Sequence, residues 1–521
     1  MISKNSNFTN GVMLNAYPDS IGYKLNNAVK MLEMPEFKDA FSMFYILPTF
    51  FNSDLDRGFS IIDYNINETL VSKSDLDDFE RLNIQLKFDI VLNHLSVASP
   101  QFKDLLEKGE ASKYKDFFIN WNTFWEGHGE LNEEDVIVPK KEYLDKLFMR
   151  KAGLPILKVP FPDGTEKPYW NTFYKNIDED GNILGQMDVN AKSDLVWEFY
   201  EETLKKLKGF GCKILRLDAF AYLHKEIGQS NFFNKPGTWE YLERIKKIAK
   251  KNDLTLLPEI HAEYGLHLHD EVAKEGYYIY DFFLPGLTIH TIETSNCKAL
   301  IAWAKEIIAK GYKTVNMLGC HDGIPVLDLK GKEVDGIYNQ GLLLDEEIES
   351  IMSKIIERGG RVKNLFGPSG KKISYYQVNA TFFSALGEDE QKLLLARAIQ
   401  MFMPGIPQVW YLDIFAGKNN YKAADEGGNA GHKEINRTSL SNEDIKEDIT
   451  KNVVKNQLKI IRLRNTLNAF SGSAIINDTP ENEIDISWIN KDNKVDIKYR
   501  KVVLKPLTDE MKEIPPKKRV Y

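Results

Sequence analysis

The sequence predicts an α/β fold: a (β/α)8 TIM barrel with inserted loop-rich subdomains and a small C-terminal β domain. Three observations lead there. Short apolar runs break abruptly into polar residues: Leu86–Leu92 into Asn93 and His94, Cys212–Leu215 into Arg216, Leu217 and Asp218, Leu254–Leu257 into Pro258 and Glu259, and Thr314–Gly319 into His321 and Asp322. Runs of that length and β-branched content read as buried strands of a parallel sheet. Helical patterns separate them, so strand, loop and helix repeat with right-handed crossovers. No GxGxxG or GxxxxGK[ST] loop follows an early strand, which removes the main signature of an open doubly wound sheet. In a barrel the residues just past each strand converge on one mouth, and the polar clusters stand at those positions.

The helices follow from 3.6-residue spacing. Ser193 is placed to cap a helix with Val196, Phe199, Thr203, Leu204 and Leu207 on one face, stopped at Gly209. Trp239, Leu242, Ile245, Ile248 and Ala249 mark a second, and Leu300, Ala304, Ile307 and Ile308, closed by Gly311, a third. A last helix carries Leu458, Ile461, Leu463 and Leu467, and the alternating segments Ile484–Trp488 and Val495–Tyr499 read as a small β module. The expected organisation is a first barrel part over 1–94, an inserted domain over 95–185, a second barrel part over 186–322, a loop-rich insertion over 323–387, a last barrel part over 388–470, and a C-terminal β domain over 471–521.

With 521 residues the chain has room for such a barrel and smaller modules, and its formal charge of −8 is spread along it. That distribution argues against nucleic acid and anionic membranes as partners, since both attract basic patches. The first twenty residues lack the apolar core and cleavage site of a secretory signal, and no run spans a membrane. Cys212, Cys297 and Cys320 are too few and scattered for a disulfide framework, and read as small core residues in a cytoplasmic protein.

The chemistry lies in the acids. Breaking a glycosidic bond with retention needs two carboxyl groups about 5 Å apart, one attacking the anomeric carbon and one moving the proton. Asp218 and Glu259 close successive strands and are the candidates. Asp322 can stabilise the charge of the transition state. Taken singly, each acid reads equally well as a cap or turn residue, and His94 or His321 as a core histidine. Their joint placement at four strand ends favours a site. Arg216, two residues before Asp218, can keep that carboxyl ionised.

DIVLNH (Asp89–His94), RLDAF (Arg216–Phe220), LLPEIH (Leu256–His261) and CHDG (Cys320–Gly323), in that order and with QMDVN (Gln186–Asn190), resemble the signature regions of the α-amylase superfamily. The resemblance implies Asp218 as nucleophile, Glu259 as acid/base and Asp322 as stabiliser, with Arg216, His94 and His321 as partners of the nucleophile or of glucosyl hydroxyls. YPDSIG (Tyr17–Gly22), DRGFSIIDY (Asp56–Tyr64), FMRK (Phe148–Lys151), YYQVNATFFSAL (Tyr375–Leu386), PGIPQVWY (Pro404–Tyr411) and INR (Ile435–Arg437) narrow it to the sucrose phosphorylase family.

That family resemblance implies a retaining phosphorolysis of sucrose through a covalent glucosyl-enzyme on Asp218, releasing α-D-glucose 1-phosphate and fructose. The partners are then an α-glucoside and inorganic phosphate; no organic cofactor or metal is implied, and a homodimer is left open. Asp56 is expected at the glucosyl 4-hydroxyl, Phe59 stacked on the sugar, Arg150 on phosphate, and Tyr376 and Gln377 on the acceptor side. Lys433 stands where the family carries a sugar-binding Arg, in a Gly431–Arg437 segment one residue longer, and a Lys cannot reproduce a bidentate fork. Ser374 replaces an Asp of sucrose-specific relatives, whereas Tyr376 replaces the His of sucrose 6-phosphate relatives. Alternatives are phosphorylases of glucosylglycerol, glucosylglycerate or sucrose 6-phosphate, or a hydrolase or transglucosidase of the superfamily. Two other classes fit less well. A metal-dependent hydrolase would use His261, His267 and His269, but the last two fall in a polar stretch expected to be solvated. A non-catalytic amylase-like scaffold would lose an acid, and all three are present.

Overall fold

The computed structural model describes residues 11–150, 153–177, 181–366, 372–491 and 493–500; at 363–366, 372–377, 428–430 and 498–500 it describes the backbone alone. Eight strands form the central sheet: β1 (Met13–Ala16), β2 (Met43–Ile46), β3 (Gln85–Val91), β4 (Cys212–Asp218), β5 (Thr255–Pro258), β6 (Tyr278–Asp281), β7 (Lys313–Asn316) and β8 (Ile406–Trp410). Their order is β5-β4-β3-β2-β1-β8-β7-β6, and every ladder is parallel. β5 packs beside β6, which brings the two ends of the sheet together as a barrel.

A helix follows each strand. Leu25–Glu33, Lys73–Arg81, Asp194–Gly209, Gly237–Lys251, Leu268–Lys274, Lys298–Lys310, Glu390–Phe402 and Asn452–Thr466 form the outer ring. The helix faces differ from the periodic reading in detail. Ser193 occupies the N-cap position without a side-chain cap bond, and Trp197 and Tyr200 are buried beside Val196 and Leu204. Ile308 and Leu463 are exposed because each lies at the edge of a stripe that only partly meets the barrel, and Leu467 because the helix ends at Thr466 and the chain turns extended there. His269 departs from expectation more sharply. It is buried on Leu268–Lys274 against Tyr264, Phe283 and Trp303, since a ring that makes aromatic contacts on several sides packs as core. All three cysteines are free and buried.

Inside the barrel, period-two alternation sends Lys87 and Asp89 of β3 and Arg216 and Asp218 of β4 to one side while Phe88, Ile90, Leu215 and Leu217 join the apolar core. The stretch after β3 forms small antiparallel sheets and its own cluster around Trp121, Trp125 and Trp170. It is tied to the barrel by a buried ion pair. Lys225 Nζ lies 2.8 Å from Asp188 Oδ2 and donates to Asn93 Oδ1 at 2.9 Å and the Tyr222 carbonyl at 2.7 Å. Asp188 also accepts from Thr172 Oγ1 and N at 2.6 and 2.9 Å. After β7 come a hairpin of Lys332–Val334 and Ile337–Asn339, the helix Asp345–Glu357 and a hairpin of Arg361–Phe366 and Lys372–Asn379, so this stretch is more regular than a loop-rich flap. Three antiparallel strands, Ser473–Ile476, Glu483–Asn490 and Asn493–Arg500, close the described chain, with Trp488 Nε1 donating to the Phe402 carbonyl at 2.8 Å. Among the described residues no helix is long and apolar enough to cross a membrane.

Breaking the Lys225–Asp188 pair from one side leaves a buried carboxylate without its counter-charge. Lys225→Met is expected to cost about 3–5 kcal/mol of stability, read as a lower midpoint in denaturant unfolding; an unchanged midpoint would show that the pair does not anchor the insertion.

Candidate active site

The mouth of the barrel is organised by one guanidinium. Arg216 is buried and sits in register with Asp89 of β3 on one side and Leu257 of β5 on the other. Its Nη1 is 2.5 Å from Asp89 Oδ1 and 2.8 Å from Asp218 Oδ1, and its Nη2 is 2.6 Å from Glu259 Oε1. Asp89 is further held by Tyr45, whose hydroxyl donates to both carboxylate oxygens at 2.9 and 2.7 Å. Asp218 is the last residue of β4. Ala219 after it takes a left-handed conformation (φ 52°), which turns the chain into the short helix Phe220–Tyr222. Asp56 and Arg57 are also left-handed (φ 48° and 45°), a strained pair held by Arg57's bonds to Asp19 and Glu434.

Asp218 and Glu259 share Arg216 and titrate as a pair. Burial, with Glu259 and Asp89 nearby, pushes Asp218 well above the usual carboxylate range against the pull of Arg216. Burial also opposes ionisation of Glu259, yet Arg216 and His261 bring it below its ordinary value. Around this one guanidinium the two shifts run in opposite directions: the site as it stands favours the ionised form of Glu259 over that of Asp218, the reverse of what the position of Arg216 two residues before Asp218 suggests.

Asp322 stands across the cavity. It does not end a strand: β7 stops at Asn316, and Asp322 lies in a tight loop bridged between Cys320 and Gly323, because Asn436 and Arg437 bind the Cys320 and His321 carbonyls and hold that loop apart from the sheet. Asn379 Nδ2 donates to the Asp322 carbonyl at 2.7 Å. The carboxylate is 2.7 Å from Lys433 Nζ, 3.2 Å from His321 Nε2 and 3.5 Å from Arg437 Nη2. Burial works against its charge, but His321, Lys433 and Arg437 outweigh it and hold Asp322 well below the usual range.

Asp218, Glu259 and Asp322 line one cavity of about 350 Å³, together with Asp56, Phe59, His94, Arg150 and Lys433. Arg216 and His321 lie behind its wall. Phe59 stacks on the His321 ring, with centroids 5.0 Å apart and planes 14° from parallel. His94 Nε2–H donates to the Phe59 carbonyl at 3.0 Å, so the neutral ring turns Nδ1 towards Asn93 Nδ2, 3.5 Å away. Lys433 also approaches Asp56, at 3.6 Å. Arg150 donates to the Tyr222 hydroxyl at 3.0 Å and lies over the Phe173 ring. Tyr376 and Gln377 belong to Lys372–Asn379, and their side chains, with that of Ser374, lie outside the described residues. Asp328, Lys330 and Lys332, to which the sequence assigns no role, gather around the same site; His261, weighed from the sequence only as a metal ligand, and Arg437, met there only as the end of the INR motif, lie at it too. Among the described residues no three His, Cys, Asp or Glu side chains are grouped to hold a metal ion.

The barrel and its similarity to known proteins define an enzyme, a glycosyltransferase of the retaining glycoside phosphorylase type. No family model matches the chain. It is 58% identical over 484 residues, 92% of each chain, to the sucrose 6(F)-phosphate phosphorylase of Ilumatobacter coccineus, and 35% identical, over 93% of each chain, to the sucrose phosphorylase of Streptococcus mutans. The crystal structure of sucrose 6F-phosphate phosphorylase from Thermoanaerobacter thermosaccharolyticum superposes with a TM-score of 0.83 at 33% identity, covering 95% of this chain and 94% of that one. The chain belongs to the family of sucrose and sucrose 6F-phosphate phosphorylases.

Burial pushes His94 down to about 4 despite Asp188. The folded protein keeps this ring neutral while the unfolded chain protonates it below about pH 6.5, so its contribution is intact above that pH and is lost as pH falls towards 4. Acidification across that window is expected to remove on the order of 3 kcal/mol of stability. Denaturant unfolding at pH 7 and pH 4.5 measures it; His94→Gln should flatten the pH dependence, and an equal loss in the variant would assign the effect to other groups.

Proposed function

We propose that the protein phosphorolyses sucrose 6F-phosphate by double displacement. Asp218 attacks the anomeric carbon of the glucosyl group while Glu259 protonates the departing fructosyl oxygen. Asp322 faces the positive charge that develops on the ring. Phosphate then attacks the glucosyl ester, giving its proton to Glu259, and α-D-glucose 1-phosphate leaves. The observation that carries this chemistry is the convergence of the three carboxylates on one cavity, two of them on a single guanidinium.

Two features support the phosphorylated donor. The relative at 58% identity is named for it, and the cavity that holds the acids is also lined by Arg150, whose planar guanidinium suits a phosphate group. Plain sucrose, the reading the motifs favour, is the second candidate, supported by the Streptococcus mutans relative and by Tyr376 in place of histidine.

Supplying α-glucose 1-phosphate with fructose 6-phosphate, fructose, glycerol or glycerate in turn separates these readings. Phosphate release with fructose 6-phosphate at a kcat/KM at least about tenfold above that with fructose is expected. Equal or better use of fructose makes sucrose the donor, and release with none of the four rejects phosphorolysis. Asp218→Asn is expected to lower kcat by about four orders of magnitude. Glu259→Gln with an activated glucosyl donor should recover turnover when azide is added. Near-native rates in Asp218→Asn would place the nucleophile elsewhere.

A further inference from the structure

Next to the acid cluster stands a second ionisable pair that the scheme above leaves unused. His261 Nε2 is 3.6 Å from Glu259 Oε1, and its Nδ1 is 3.2 Å from Asp328 Oδ1. The two carboxyls approach opposite nitrogens of one ring, so the ring bridges them. The ring cannot swing away, because Phe282 at the end of β6 stacks on it with centroids 3.8 Å apart and planes 18° from parallel. Asp328 is buried on the short helix Leu327–Leu329, so the loop after β7 reaches back to the end of β5 through this contact.

We propose that the His261–Asp328 pair is a positioning device for Glu259 that serves the second half of the reaction, in which an incoming phosphate gives its proton to Glu259. The inference rests on the reading of Glu259 as acid/base. In that half-reaction an oxygen of hydrogen phosphate forms the new bond to the anomeric carbon. The ester bond to Asp218 breaks, its electron pair returning to the Asp218 carboxylate, and the phosphate proton passes to Glu259. Glu259 must therefore start this step ionised, whereas it must start the first step protonated.

A cation placed beside one carboxyl of the pair biases it towards the ionised form. Burial disfavours a charged imidazole, but Asp328, Glu259 and Asp322 together raise His261 above its ordinary value. The other charged groups on this side of the cavity are Glu263, Lys330 and Lys332; Lys332 is bound to Glu263 at 2.8 Å and Lys330 lies 3.7 Å from Asp345, so each cation is offset by an acid of its own. Once Asp218 is esterified it carries no charge, Arg216 keeps only Asp89 and Glu259, and His261 adds the second positive charge next to the base.

The test separates the two halves with α-D-glucosyl fluoride, whose leaving group needs little protonation. Fluoride released before phosphate is added reports the first half; glucose 1-phosphate formed on a phosphate chase reports the second. His261→Asn and Asp328→Asn are each expected to slow the chase on the order of tenfold while the fluoride burst changes by less than about threefold. Without the cation Glu259 takes up its proton at higher pH, so the acid limb of the chase rate moves up by roughly one pH unit in both variants. The burst also certifies that each variant is folded. Equal slowing of both halves, or an acid limb that stays where it is in both variants, overturns the proposal. If the unaltered enzyme gives no fluoride burst, the double-displacement reading itself fails and this inference goes with it.

Discussion

Three carboxylates from three neighbouring strands converge on the Arg216 guanidinium inside a closed barrel. Asp89, Asp218 and Glu259 could not be buried together otherwise, since each would pay for desolvation and for repulsion by the other two. A planar fork with donors on both terminal nitrogens meets three acids at once, and a lysine would meet them as a single point charge. The barrel mouth is built around this requirement. Tyr45 takes up the outer side of Asp89, and the packing of Phe59 beneath the guanidinium, 5.4 Å from its carbon, closes the remaining face.

From that centre the rest of the site is a matter of holding loops. Asp322 reaches the cavity from a segment clamped by Asn379, Asn436 and Arg437, residues that come from two later parts of the chain. The insertion after β3 contributes Arg150, Phe173 and Gln186 to the wall, and Lys225 with Asp188 fixes where that wall stands. Lys433 places a positive charge between Asp56 and Asp322, 3.6 and 2.7 Å from their carboxylates.

Much of this is legible in the sequence. The strands that lead into Asp218 and Glu259 and the helices between them follow from hydrophobic period and from where polar residues interrupt it. The errors share a cause. His269 read as solvated because its neighbours along the chain are polar, yet it packs against Tyr264, Phe283 and Trp303, which are remote in sequence. Ile308 and Leu463 read as core because the helical period includes them, but the width of the buried stripe is set by the neighbouring element; Leu467 falls past the end of its helix. Asp322 read as a strand end because apolar residues continue to Gly319; the ladder stops at Asn316, where pairing with β8 ends.

The sequence by itself determined the barrel and the placement of Asp218 and Glu259 at or just past strand ends, because these depend on local period and on side-chain type. Only the tertiary structure decided which charges meet. That Arg216 serves Asp218 and Glu259 together, that Lys433 and Arg437 converge on Asp322, and that Asp328 comes to lie behind His261 are outcomes of chain closure between segments far apart in sequence. The physical reason is that Coulomb and hydrogen-bond energies fall off over a few ångströms, and such distances between remote residues exist only once the sheet has closed.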